Sequence, residues 1–71
     1  MNDITFRVSP TISGWSVGCD LLEPTYYRSG ARAEAAARSL AIRLTDTGCN
    51  TRIVIRDLTH QVVATHRYFG A

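Results

Sequence analysis

Residues 29–48 read SGARAEAAARSLAIRLTDTG, and the way this stretch folds decides the architecture. Ser29 is a natural N-cap, with a hydroxyl able to accept from a free backbone N–H in the first turn. Position N3 is Arg32, not Glu or Gln, so the full capping box is absent. At 3.6 residues per turn, Ala33, Ala36, Ala37, Leu40, Ala41 and Leu44 share one face, while Glu34, Ala35, Arg38 and Ile42 lie on the other side. Gly48 suits the left-handed residue that closes a helix. The spacing predicts one helix, with small side chains on its apolar face that let it approach a sheet closely.

Both flanks read as strands. Ile4, Phe6 and Val8 alternate with Thr5, Arg7 and Ser9, and Pro10 ends the run. Thr11 to Gly14 forms a short loop with turn chemistry. Trp15, Val17, Cys19 and Leu21 then alternate with Ser16, Gly18 and Asp20, so the first two runs predict an antiparallel hairpin. Glu23-Pro24 is expected to turn the chain. Thr25-Tyr26-Tyr27 suits either a short third strand or an extended lead-in to the helix. After the helix, Thr51 to Asp57 places Ile53 and Ile55 on one face and Arg52, Val54 and Arg56 on the other. Leu58-Thr59-His60 is a turn region. Gln61 to Tyr68 is a last strand, with Val62, Ala64, His66 and Tyr68 opposed to Val63, Thr65 and Arg67, and the pattern leaves open which set is buried. The expected fold is α+β, in the order ββ(β)αββ, with one helix packed on one face of a small antiparallel sheet.

Seventy-one residues make one domain, 1–71. A core of this size supplies roughly 3–5 kcal/mol, so dimerisation is an expected source of further stability. No apolar run approaches the length of a membrane span. The stretch MNDITFRVSP has neither the basic nor the apolar region of a secretory leader, so a cytoplasmic location is expected. Cys19 and Cys49 are too few for a disulfide framework, and Cys19 falls on the apolar phase of its strand. His60 and His66 match no metal-ligand spacing with them, so neither a metal nor a cofactor is expected.

All eight basic side chains are arginine, yet the net charge is only +2, well short of the basic footprint of most nucleic-acid domains. If Ile4, Phe6, Val8, Trp15, Val17, Ile53 and Ile55 face the helix, the opposite sheet face gathers Arg7, Arg52, Arg56 and Arg67 as a candidate binding face. Thr5, Val54, Val63 and Thr65 lie among them. Such a face can dock an acidic partner or a phosphate backbone. It can equally be a solvated surface on which arginines lie across their neighbours. Aromatic platforms for single-stranded nucleic acid are scarce, Phe69 being the one candidate.

Val8-Ser9-Pro10, Gly14-Trp15-Ser16-Val17 and the helix run from Arg32 to Ala41, with Tyr68-Phe69-Gly70 at the end, together resemble a family of short uncharacterised bacterial proteins. Its pattern is a GW-x-V hairpin followed by an AEA-x-x-A helix. The resemblance spans nearly the whole chain and implies a ββαββ fold, with no biochemical activity to carry over. The chain departs from the pattern at Ser29, where threonine is usual, and at Asp57-Leu58-Thr59-His60, where Asp-Gly is common. A weaker likeness is to the N-terminal domain of HicB-type antitoxins, which neutralise a small ribonuclease. Against it, the strand leading into that family's helix is not evident here. The expected function is therefore a non-enzymatic binding or interaction domain, homodimeric. The alternatives are a weak nucleic-acid binder through the arginine-bearing face and an antitoxin of the HicB kind.

Overall fold

A computed structural model describes residues 3–70. Five strands and one helix follow in the order β1 (Asp3–Pro10), β2 (Trp15–Cys19), β3 (Leu22–Tyr27), α1 (Gly30–Asp46), β4 (Asn50–Arg56) and β5 (Val62–Tyr68). The strands form one sheet in the order β3-β2-β1-β4-β5, and α1 packs across one face.

The sheet is mixed rather than antiparallel. The β1–β2, β2–β3 and β4–β5 neighbours are antiparallel, but β1 and β4 run parallel, with Phe6 opposite Ile53 and Val8 opposite Ile55. The cause is the third strand. With three strands before the helix, the chain enters α1 at the end of the sheet where β1 finishes. The helix then carries it back, so β4 must start beside the start of β1. Without β3 the parity would reverse and an antiparallel sheet would follow.

The turn before β3 also lies earlier than the alternation predicts. Cys19 pairs with Leu22, so Asp20-Leu21 makes the bend and Glu23-Pro24 falls inside β3. Pro24 is tolerated because β3 is an edge, where one row of backbone groups needs no ladder partner. Leu21, expected on the apolar phase, is exposed at the turn. The third strand, which the sequence left as an alternative to an extended lead-in, is thus present and leads into the helix.

Helix α1 begins and ends as its sequence dictates. The Ser29 hydroxyl accepts from the Arg32 N–H at 3.2 Å. At the far end the Gly48 N–H donates to the Thr45 carbonyl and the Cys49 N–H to the Leu44 carbonyl, with Gly48 at φ 94°. This is the paired-bond helix stop that favours glycine. Ala33, Ala37 and Ala41 form the fully buried line of the helix, and Leu40 and Leu44 pack beside it.

Beneath the alanines lie Phe6, Val8, Val17, Ile53 and Ile55, of which Phe6 (1% exposed), Val8 (0%) and Ile53 (1%) are the largest fully buried side chains. Trp15 faces the helix as expected but is only half-buried. Its indole lies so close to Gly30 that a Cβ there would sit 3.1 Å from the ring. On β5, Ala64 and Tyr68 pack against the core, which settles the face that the sequence left open.

Candidate docking face

Alternation along β1 and β4 turns Phe6, Val8, Ile53 and Ile55 toward the helix and their neighbours away from it. Arg7, Arg52, Arg56 and Arg67 therefore occupy the uncovered face, as their sequence phase implies. The register sets the detail. Thr5 lies beside Arg52 in the parallel pair, and Arg52 lies directly opposite Arg67 in the antiparallel pair. Val54 sits between Arg7 and Thr65 in the next row.

The four arginines are not equivalent. Arg7 Nη1 lies 3.1 Å from Asp20 Oδ1, with side chains 47% and 84% exposed, so this is a solvated ion pair that holds little energy. Arg56 Nη1 donates to the His60 carbonyl at 3.0 Å, which ties it to the β4–β5 turn. Arg52 and Arg67 make neither an ion pair nor a side-chain hydrogen bond among the described residues. Two exposed guanidinium groups thus stand cross-strand without a carboxylate between them. Like charges placed directly opposite weaken a sheet.

This pair borders a shallow hollow of about 390 Å³ shared with Asp3, Thr5, Asn50 and Phe69. The Asn50 side-chain oxygen accepts the Gly70 N–H at 2.9 Å, and Gly70 lies directly on the backbone of Gly48. Those contacts hold the chain after β5 against the start of β4. Phe69, 74% exposed, is thereby fixed at the rim. Asp3 and Asn50 were not singled out from sequence, because only the parallel β1–β4 register brings Asp3 beside Asn50. Tyr26 also lies on the uncovered face, opposite Ser16 and exposed, while Tyr27 turns to the core.

The remaining candidates are dispersed. Cys19 packs against the core, and Cys49 follows the helix; both are free thiols. His60 sits in the β4–β5 turn and His66 on the helix side of β5. Among the described residues no group of three or more His, Cys, Asp or Glu could hold a metal ion. No helix among them is long and apolar enough to cross a membrane.

Fold and face together define a two-layer α+β domain: one helix over a five-stranded mixed sheet whose other side is bare and carries arginine. No protein-family model matches the chain, and comparison with curated proteins and with solved structures likewise returns no match.

Proposed function

We propose that this is a non-catalytic binding domain that docks an acidic protein segment on its bare sheet face, with Arg52 and Arg67 as the anchoring pair. The observation that carries this reading is the uncompensated cross-strand arginine pair. A placement that costs sheet stability is accounted for if a ligand supplies the missing negative charge. Guanidinium groups suit the role because each can grip a carboxylate through two parallel N–H donors. Phe69 and Val63, exposed on or beside the same face, offer apolar contact next to the charge.

The test is fluorescence anisotropy with a labelled ten-residue polyglutamate peptide and, separately, a single-stranded RNA of about sixteen nucleotides. The peptide is expected to bind, to weaken as salt rises, and to lose roughly tenfold or more in affinity in Arg52→Gln/Arg67→Gln. Arg67→Glu turns the repulsive pair into an attractive one, so it should raise thermal stability while abolishing peptide binding. Preference for the RNA would replace the protein-docking reading with a nucleic-acid one. Absence of binding to either would remove the face as a docking site.

A second reading is favoured by β3, the strand leading into the helix, whose apparent lack was the departure from the antitoxin-like pattern. In that reading the acidic partner is a small ribonuclease. A toxin-sized reading frame beside the gene, and capture of its product by the purified chain, would support it.

A further inference from the structure

We propose that β5 is a self-pairing edge, through which two copies of the chain join into one continuous ten-stranded sheet about a two-fold axis at Thr65. The two edges of the sheet are built differently. On β3, Pro24 interrupts the row of backbone donors, and the pairing with β2 is broken by a register shift between Val17 and Cys19. Both features blunt an edge against added strands. On β5 the run VVATHRY contains neither proline nor lysine, and its irregularity lies at the end near Arg56 and Val62. No strand flanks its outer side among the described residues. A seven-residue, β-branched edge of this kind is a template for another strand.

The strand's own sequence points to a second copy as the occupant. A two-fold axis perpendicular to the sheet keeps both helices on one side and requires opposed residues to share a face. Centring on Thr65 opposes Thr65 to Thr65, Ala64 to His66 and Val63 to Arg67 of the other copy, while the bulge that sets Val62 opposite Arg56 takes Val62 out of the ladder. Threonine pairs are favourable neighbours across strands, and no two arginines meet. Centring on His66 opposes two imidazoles and leaves Val62 and Val63 beyond the pairing. Centring on Ala64 leaves Arg67 and Tyr68 without strand partners. The Thr65 register keeps Val63 through Arg67 paired without opposing two imidazoles.

Pairing in this way sets the Arg52–Arg67 rows of the two copies on either side of the new seam, on the same bare face. On the acidic-docking reading above, one continuous surface would then grip one longer acidic segment. Main-chain pairing along a single strand buries less area than a standard protein interface, so the association is expected in the micromolar range.

Sedimentation equilibrium of the full chain, without ligand, tests the pairing from low micromolar to sub-millimolar concentration. The wild-type chain is expected to approach twice its monomer mass. Thr65→Lys and Thr65→Glu each oppose like charges at the axis and should sediment as monomers. Their equimolar mixture should recover the dimer, because only this register brings position 65 opposite itself. Thr65 is exposed, and far-UV circular dichroism will show that both variants keep the fold. A wild-type monomer at every concentration, or a Thr65→Lys chain that still dimerises, would overturn the proposal. Two monomeric variants that fail to recover in the mixture would overturn the Thr65 register. Since no acidic ligand is present, failure of the docking reading leaves this result untouched.

Discussion

Among the described residues Thr51 is the one buried polar side chain, 3% exposed, and its hydroxyl has no hydrogen-bond partner there. It lies on the helix side of β4, paired with Ile4 and Tyr68. A buried hydroxyl without a partner keeps its desolvation cost and gains nothing for it. Thr51→Val retains the β-branched shape and removes the polar atom. The expected outcome is a stabilisation of about 1 kcal/mol, or a melting temperature higher by roughly 4–8 °C for a domain of this size. A lower melting temperature for Thr51→Val would show that the hydroxyl is satisfied in solution. Arg52 and Arg67 show the same logic on the other face. The side that each arginine takes was legible from period-2 alternation. That the two stand directly opposite each other was not, because cross-strand register depends on the length and shape of the β4–β5 turn.

At the scale of the element, that turn carries its own electrostatics. The Asp57 carboxylate accepts from the Thr59 hydroxyl, the Gln61 N–H and the Thr59 N–H, and His60 stands nearby at φ 64°. The Thr59 hydroxyl bond, then the Gln61 backbone bond, hold the carboxyl below the usual carboxylate range. A carboxyl more acidic in the folded chain than in the unfolded one stabilises fully above its unfolded pKa of about 4. That contribution is lost as pH falls through the lower folded value. Wild-type chain should therefore exceed Asp57→Asn in stability near neutral pH, with the gap closing below about pH 4. Thermal melts of both chains across acidic pH measure it; a gap independent of pH would discard the carboxylate's role. The sequence marked 57–60 as a turn and showed the departure from Asp-Gly. It did not show that His60 takes the left-handed position that glycine would otherwise fill. Helix α1 was more legible, since its cap, alanine face and glycine stop are all local in sequence.

On the scale of the whole molecule, stability rests on a thin core between one helix and one face of the sheet. Of the residues expected to face the helix, Trp15 is only half-buried, at the helix start, and Phe6 is buried to 1% exposure. Phe6→Ala should cost about 3–5 kcal/mol, comparable to the whole stability of so small a domain. Trp15→Ala should cost less and leave a folded chain. Denaturant titration of both variants checks the order, and a more damaging Trp15→Ala would move the core's centre back to the hairpin. The amino-acid sequence by itself determined the helix with its caps, the faces of β1, β2 and β4 that turn inward and the side of the sheet that bears arginine. These follow from local periodicity, caps and turn residues, which act over a few positions of chain. Tertiary structure alone decided that β1 and β4 run parallel, that Arg52 faces Arg67, and that β5 ends as an open edge. Each depends on how many times the chain reverses before the helix and on which strands then meet, contacts that no local pattern records.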